Sequence, residues 1–268
     1  MKKQFLIFGI VIVVIAVGVT GCLGGKYTDY FNGEYQANEN TILKVTTLNG
    51  QIEIYTLEND TISLNAIKKS TISREELDNT EIKVDESGNK IEIKTQYNGK
   101  RTIQPSVDMI IKVPSFVTIE TVMTSNGAII IENVKGNITA SSSNGAITIE
   151  NVDGYISATT SNGDIEVTDT TGLKNLKSSN GKINTEIFDI QEDITISTSN
   201  GGITVYINPS LNTNIEMETS NGQITISDIT LNLTIDEEKH KVGTLGDDGN
   251  KIFIRTSNGN IKLYKLEV

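Results

Sequence analysis

Few side chains in this 268-residue chain are of the types that carry out nucleophilic or metal chemistry. The chain has one cysteine, Cys22, and one histidine, His240. A single cysteine forms no disulfide within the chain, and these two residues cannot build a structural zinc site. His240 would be the only base for a serine- or cysteine-dependent relay, and it lies in a charged run (EEKHK) that is typical of a solvated loop. The sequence also contains neither a P-loop nor a dinucleotide-binding glycine motif.

Carboxylates are the remaining candidates for catalysis. Asp164 and Glu166 flank Ile165 and are predicted to point to the same outer side of a strand. Paired carboxylates hydrolyse glycosidic bonds, but such sites need a groove, arginines and aromatic rings that stack on sugars. The chain has no Trp and only three arginines. We therefore predict a solvated acidic face, with no catalytic residue and no cofactor.

Metal binding finds equally little support in the sequence. The run at 247–250 (DDGN) is predicted to be a turn, and neither an EF-hand loop nor a glycine-rich calcium repeat is present. The sequence predicts no metal site.

The N-terminal 21 residues have the pattern of an export signal. Lys2 and Lys3 precede an uncharged apolar run from Phe5 to Val19, which ends shortly before Cys22. A small residue directly before the only cysteine resembles the lipobox of prokaryotic lipoproteins, in which that cysteine is lipidated. The alternative is an uncleaved transmembrane helix, since residues 5–23 are almost long enough to span a bilayer. Both interpretations place the remaining chain at the extracytoplasmic face of the cell membrane.

The charge of the chain limits its partners. The net charge is −11, and it becomes −13 when Lys2 and Lys3 are removed with the signal. Nucleic acids and anionic lipid surfaces are bound through basic stripes, so we predict no nucleic-acid partner. The predicted partners are the membrane, through the Cys22 lipid or the N-terminal helix, and a surface glycan or protein ligand.

A short repeat dominates the rest of the sequence. The tripeptide Ser-Asn-Gly recurs at spacings of 18, 18, 18, 20, 21 and 37 residues. A fixed period near 20 residues is typical of a solenoid, in which each repeat packs only on its neighbours. We predict that the repeated asparagines form a structural ladder at one corner; they are Asn126, Asn144, Asn162, Asn180, Asn200, Asn221 and Asn258.

Each repeat reads as turn, strand, turn, strand. An isoleucine follows each asparagine by three residues, and a second residue, apolar in all but one repeat, follows by five, which is the period of a strand. The second turn has asparagine or aspartate and glycine in the regular repeats, as at Asn151 and Gly154, and we expect left-handed backbone at both corners. Stacked equivalent strands give parallel sheets, whose crossovers are right-handed. A left-handed helix needs an apolar residue every sixth position, whereas the isoleucine pattern here is two apart.

The predicted fold is therefore all-β: a single-domain right-handed parallel β-helix with about 18–21 residues per coil. We divide the chain into a signal or anchor (1–21), a flexible tether (22–37), irregular N-terminal capping coils (38–121) and regular coils (122–268). A charged loop or small hairpin at 231–249 is predicted to project from the last coils. Unpaired strand edges at the ends of such a stack also make self-association a candidate property.

The motifs resemble a known prokaryotic family, the putative adhesins, which are β-helical domains of unknown function. The resemblance rests on the segments at 49–54 (NGQIEI), 107–114 (VDMIIKVP) and 251–262 (KIFIRTSNGNIK), and on the serial Ser-Asn-Gly-x-Ile coils. It covers residues 40–268 and implies a β-helix on a secreted or membrane-anchored protein. Two functions stay open: a non-enzymatic adhesin or envelope scaffold, and a β-helical carbohydrate-active enzyme or self-assembling filament protein.

Overall fold

A computed structural model describes residues 27–100 and 104–267 of the chain. The predicted signal segment and Cys22 lie outside these ranges. The described residues form a solenoid of strands with one short helix, α1 (Arg74–Asp78). In chain order the strands are β1 (Tyr27–Gln36), β2 (Ile42–Asn49), β3 (Ile52–Thr56), β4 (Thr61–Ser70), β5 (Thr80–Ser87), β6 (Lys90–Tyr97), β7 (Ser106–Val113), β8 (Thr118–Asn126), β9 (Ile129–Lys135), β10 (Ile138–Asn144), β11 (Ile147–Asn162), β12 (Ile165–Asn180), β13 (Ile183–Ile187), β14 (Ile194–Asn200), β15 (Ile203–Ile207), β16 (Thr213–Asn221), β17 (Ile224–Ser227), β18 (Asn232–Asp236), β19 (His240–Leu245), β20 (Asn250–Asn258) and β21 (Ile261–Lys265).

The coils stack into two faces that meet at the Ser-Asn-Gly corner. We define face A by the strands that end at the corner asparagines, and face B by the strands that follow them. In the regular coils neighbouring strands pair in parallel and in register, as Ile138 with Ile156 on face A and Ile147 with Ile165 on face B. The long strands β11 and β12 run from face B into face A across the second corner. The prediction of an all-β solenoid is confirmed, and its right-handed winding stays a prediction.

The core is a narrow column between the two faces. Ile147 and Ile165 are 0% and 1% exposed, whereas Thr148 is half-buried and Glu166 is exposed. The predicted burial of Ile147 and Ile165 and the predicted exposure of Glu166 are therefore confirmed. Each fully buried isoleucine contributes about 1.5–3 kcal/mol, and no coil buries its pair without a neighbour above and below. One irregularity occurs near Lys174, where the register shifts and Leu173 takes the inward position.

The coils do not stack in sequence order at the C-terminal end. On face A, β20 lies between β14 and β16, and on face B, β21 lies between β15 and β17. The last coil of the sequence is therefore the second-to-last coil in space. The segment between β17 and β20 holds the β18–β19 hairpin, and β19 pairs antiparallel with β16. The predicted charged excursion is thus a hairpin, but it extends face A rather than projecting freely.

At the N-terminal end, too, the coils do not stack in the order of the sequence, and we call this departure at both ends the exchanged coil order. The β2–β3 coil lies between the later β6–β7 coil and the β8–β9 coil. Antiparallel strands finish this end, with β5 on β6 and with β4 on β7. Strand β8 crosses residue 121, so the irregular coils and the regular coils form one continuous stack.

The predicted tether at 22–37 is wrong over its described part. Residues 27–36 form β1, which pairs antiparallel with β4 along its full length. Phe31 and Tyr35 pack against the hydrophobic core, and this burial holds the strand on the stack. Only residues 23–26 lie between Cys22 and β1 in the sequence.

The two corners use glycine and asparagine for different reasons. At the second corner Asn133, Asn151 and Asp169 have φ of 57°, 51° and 50°, so the predicted left-handed backbone is confirmed there. None of the Ser-Asn-Gly corners has a residue with a positive φ, so the prediction of left-handed backbone is wrong there; only Gly50, in the related Leu-Asn-Gly corner, has one, at 122°. Close stacking requires glycine there: a Cβ on Gly145 would lie 1.9 Å from the carbonyl oxygen of Gly127.

The exchanged coil order is testable with a pair of engineered cysteines. In a Cys22→Ser background, Ser197→Cys with Arg255→Cys places two cysteines on paired positions of β14 and β20. Neighbouring strands bring their Cα atoms to about 5 Å, which a disulfide spans. We expect this pair to oxidise, with faster migration on a non-reducing gel.

The matched control combines Ser197→Cys with Glu218→Cys. These positions lie two strands apart on face A, at about 10 Å, which is too far for a disulfide. Stacking in simple sequence order would reverse the two outcomes and would contradict the observed order.

Candidate functional site

The corner asparagines form one continuous ladder of side-chain hydrogen bonds. Each amide nitrogen donates to the amide oxygen of the neighbouring coil, at 2.6–2.9 Å, in a single direction toward the N-terminal end. The predicted seven asparagines all belong to it, and Asn49 is an eighth member that the sequence already marked by its Asn-Gly-x-Ile motif. In space the order is Asn49, Asn126, Asn144, Asn162, Asn180, Asn200, Asn258 and Asn221.

A second row of hydrogen bonds lies just inside the corner. The hydroxyl two residues before the asparagine of each Ser-Asn-Gly coil donates to the glycine carbonyl of the adjacent coil, as Ser142 does to Gly127 at 2.9 Å and Thr160 to Gly145 at 2.9 Å. These hydroxyls are buried. Each such bond contributes about 1 kcal/mol and would leave a buried carbonyl unpaired if it were lost. The corner is therefore held by an outer amide row and an inner hydroxyl row.

The two faces differ in their outward side chains. On face A, the outward positions of the four regular coils from β10 to β14 carry short hydroxyls, with Asn175, Lys177 and, at the register shift, Lys174 as the exceptions. They are Thr139, Ser141, Ser143, Ser157, Thr159, Ser161, Ser179, Thr195, Ser197 and Ser199. We call this surface the hydroxyl face. Carboxylates gather instead on face B and its corners, for example at Glu132, Glu150, Asp164, Glu166 and Glu186.

Asp164 and Glu166 each accept a hydrogen bond from the next coil. Asp164 accepts a hydrogen bond from the backbone N–H of Lys182 at 2.7 Å, and Glu166 accepts one from the Asn184 amide at 3.1 Å. Both carboxylates therefore tie their coil to the next one. Over residues 27–100 and 104–267, no three histidine, aspartate or glutamate side chains are grouped closely enough to hold a metal ion.

His240 lies on the hairpin strand β19 and faces an acidic residue of β16. Its Nε2 atom is 3.3 Å from Glu216 Oε1, and Lys251 Nζ lies 2.5 Å from Glu216 Oε2. The hydrogen bond from Lys251 is the main reason that the pKa of Glu216 lies below its ordinary value, although partial burial acts in the opposite direction. Sequence reasoning missed this cluster, because its three residues meet only through the exchanged coil order.

The hairpin acids do not converge on His240. Asp236 pairs with Lys241, and Asp248 accepts a hydrogen bond from the Asn214 amide. Arg255 is 3.6 Å from Glu218. The first contact lies within the hairpin, the second ties the turn before β20 to β16, and the third joins two strands of face A.

A shallow groove of about 490 Å³ lies beside the second corner. Phe188, which is 47% exposed, forms its apolar part, and its acidic lining residues are Asp153, Asp169, Glu186 and Glu267. Tyr155 lies nearby and donates a 2.5 Å hydrogen bond to Asp189. Burial, and then this bond, raises the pKa of Tyr155 to about 12, so its hydroxyl stays protonated at neutral pH. Sequence reasoning missed this groove, since its residues come from three coils and the C-terminal segment.

Glu216 generates a pH-dependent prediction. A carboxylate with a lowered folded-state pKa stabilises the fold above its unfolded-state pKa, and this stabilisation is lost as the pH falls through the folded-state value. We expect Glu216→Gln to lower the free energy of unfolding by about 1 kcal/mol at neutral pH. At about pH 3 the loss should be smaller, because the carboxyl group becomes increasingly protonated as the pH falls. Urea titrations at the two pH values measure it.

Glu218→Gln is the matched control, because Glu218 is on the same strand and contacts Arg255 only loosely, at 3.6 Å. Its effect should stay within about 0.5 kcal/mol at both pH values. An equal loss in Glu216→Gln at neutral and acidic pH would show that the charge of Glu216 does not stabilise the hairpin.

The predicted lipidation site, Cys22, lies outside the described residues. Within those residues, no helix is long and apolar enough to span a bilayer.

Several solved structures are similar to this chain at low identity. One is a putative cell adhesion protein from Clostridium sporogenes, with 14% identity and a TM-score of 0.37, covering 90% of this chain and 100% of that one. A putative adhesin from Bacteroides fragilis has 13% identity and a TM-score of 0.44, covering 87% and 96%. A putative lipid binding protein from Parabacteroides distasonis has 13% identity and a TM-score of 0.34, covering 89% and 97%.

No curated protein matches the chain significantly. The sequence pattern of one family, however, matches residues 40–264, which include every coil of the solenoid. This match spans most of the chain and agrees with the resemblance to β-helical adhesin domains that the Ser-Asn-Gly coils suggested. The chain therefore belongs to the Toastrack DUF4097 family.

Proposed function

We propose that this protein is a non-enzymatic, membrane-tethered solenoid on the extracytoplasmic face of the cell membrane, which presents its hydroxyl face to a glycan of the cell envelope. The single observation that carries the proposal is the segregation of charge between the two faces. A chain with a net charge of −11 keeps the outward positions of four face A coils almost free of charge.

The chemistry of the hydroxyl face fits a polyhydroxylated ligand. Each serine or threonine hydroxyl is both a donor and an acceptor, as each sugar hydroxyl is. Neighbouring coils repeat these groups at about 4.8 Å, so an extended chain of sugars would meet a regular series of partners. The absence of carboxylates from these positions avoids repulsion of acidic polysaccharides.

The solenoid is also a stiff support for such a surface. The amide row and the hydroxyl row of the corner cross-link every regular coil to its neighbours. Side chains held in this way lose little conformational freedom when a ligand binds, and preorganisation of this kind favours affinity.

The last part of the proposal is that Cys22 anchors the protein to the membrane. The signal pattern before Cys22 supports lipidation at that residue, and β1 begins only five residues later, at Tyr27. Five residues reach at most about 17 Å, so the N-terminal end of the solenoid would stand close to the bilayer. The far coils would then face away from the membrane.

Substitution of the cysteine tests the anchor. Cys22→Ser removes the only thiol of the chain, so we expect complete loss of metabolic labelling with a fatty acid. The wild-type protein and Gly25→Ser, a control in the same connector, should both be labelled and pellet with membranes. An unlabelled wild-type protein that still pellets and retains residues 1–21 would show a transmembrane anchor instead.

Glycan binding is tested by adding charge to one face at a time. We expect Ser141→Asp with Thr159→Asp, which are paired on the hydroxyl face, to weaken binding on a glycan array by about tenfold, or 1.4 kcal/mol. Thr148→Asp with Thr168→Asp adds the same charge to face B and should leave binding unchanged. Equal effects of the two variants would place the glycan elsewhere.

The same samples test the non-enzymatic part of the proposal. Wild-type protein incubated with the bound glycans should release no reducing ends and no unsaturated sugars. Release of either product would favour the carbohydrate-active enzyme.

A further inference from the structure

The eight corner asparagines are all followed by glycine, and this dipeptide is chemically labile. The backbone nitrogen of the glycine, once deprotonated, attacks Cγ of the asparagine side chain. A bond forms between this nitrogen and Cγ, the bond from Cγ to the amide nitrogen breaks, and ammonia leaves. Water then opens the resulting succinimide at either carbonyl, which yields aspartate or isoaspartate and adds one negative charge. Glycine favours the attack because it has no Cβ to obstruct it.

The fold does not permit a residue with a Cβ, which would obstruct deamidation, after these asparagines. A Cβ on Gly127 would lie 2.0 Å from the Gly50 carbonyl oxygen, and a Cβ on Gly259 would lie 2.0 Å from that of Gly201. Every stacked coil therefore keeps its Asn-Gly pair, and protection against the reaction has to come from the tertiary structure.

Two contacts supply that protection, and both come from a neighbouring coil. The first holds the side chain: an asparagine inside the ladder donates to one neighbour and accepts from the other, which restrains Cγ. The second occupies the nucleophile: the glycine N–H donates to the asparagine carbonyl of the next coil toward the C-terminal end. This bond is present at Gly50, Gly127, Gly163, Gly201 and Gly259, at 2.8–3.2 Å.

Asn221 is the one ladder position in the described part of the chain that lacks both the accepting half of the first contact and the second contact. Its amide nitrogen donates to Asn258 at 2.9 Å, but no neighbouring coil follows to donate to its own amide oxygen. For the same reason, the N–H of Gly222 meets no carbonyl. Asn144 and Asn180, whose glycines also lack the second contact, keep the first on both sides.

Exposure to solvent does not distinguish these positions. Asn221 is exposed, and so are Asn144 and Asn180 in the middle of the stack. The difference lies in the hydrogen bonds alone, and it follows from the exchanged coil order. Because the coil of Asn258 lies inside that of Asn221, the free end of the ladder is Asn221 rather than the last Asn-Gly pair of the sequence.

We infer that Asn221 is a site of spontaneous deamidation, and that the ladder is lost from this end inward. Conversion of Asn221 replaces an N–H donor with a carboxylate oxygen opposite the amide oxygen of Asn258. Asn258 then becomes the new end of the ladder, with its own amide oxygen unpaired. The product is an irreversible mark of protein age that adds negative charge at one end of the solenoid.

Ageing of the intact protein tests the inference. The full-length chain, purified in detergent, is held at mildly alkaline pH, and peptide mapping by mass spectrometry measures aspartate and isoaspartate at each ladder position. We expect Asn221 to convert at least about tenfold faster than the median of the other seven, which corresponds to 1.4 kcal/mol in the barrier. In denaturant the eight rates should agree within a few-fold, because their local sequences are alike.

Two variants test the inward order. Asn221→Asp should raise the rate at Asn258 several-fold, since the donor to Asn258 is gone. Thr225→Asp, which places a charge on β17 of the same coil without touching the ladder, should leave that rate unchanged. A rate at Asn221 in the folded protein no higher than at Asn144 or Asn180 would overturn the inference. A rise at Asn258 in both variants would refute the inward order.

Discussion

The close stacking of glycines at the first corner is the constraint on which the rest of this structure depends. The glycine of one coil lies so near the backbone of the next that an added Cβ would overlap a carbonyl oxygen at about 2 Å, as at Gly163 and Gly181. This contact sets successive coils in register, and the register then aligns every other row. The isoleucine column, the inner hydroxyl row and the outer amide row all repeat along the axis because the glycines do.

The ends of the stack need a different solution, because a parallel solenoid leaves unpaired strand edges that can recruit other chains. At each end of the stack, two coils stand in the reverse of their sequence order. Hairpin strands with charged side chains then cover part of the exposed edge. At the N-terminal end β5 presents Glu81, Lys83 and Asp85, and at the C-terminal end β18 and β19 cover β16 on face A. The contact of Glu216 with His240 joins the second hairpin to β16, and the contact of Glu216 with Lys251 joins β16 to β20.

The two long faces of the solenoid also differ in the charge of their outward side chains. Outward positions on both faces are solvated, so the core places no demand on them, and the two faces have diverged in composition. Carboxylates on face B accept hydrogen bonds from the adjacent coil, as Asp164 does from Lys182. On face A, the four coils from β10 to β14 have no carboxylate at their outward positions and offer hydroxyls instead, and this asymmetry supports the proposal of a binding surface there. A repeating fold can vary one face freely while the other side of the same strand stays fixed by the core.

The sequence by itself determined the repeat, the strand register and the identity of the buried residues. These features are local: the Ser-Asn-Gly-x-Ile motif recurs in each coil, and period-2 alternation decides which side chains point inward. It also predicted the amide ladder, and Asn49 could have been included by its motif. Tertiary structure alone decided the order of the coils, because equivalent coils have nearly the same pattern and any of them would fit either neighbour by sequence. That order sets which asparagine ends the ladder, and it brings His240, Glu216 and Lys251 together from three strands. It also decided that residues 27–36 join the sheet, since only the finished end of the core gives Phe31 and Tyr35 an apolar surface to cover.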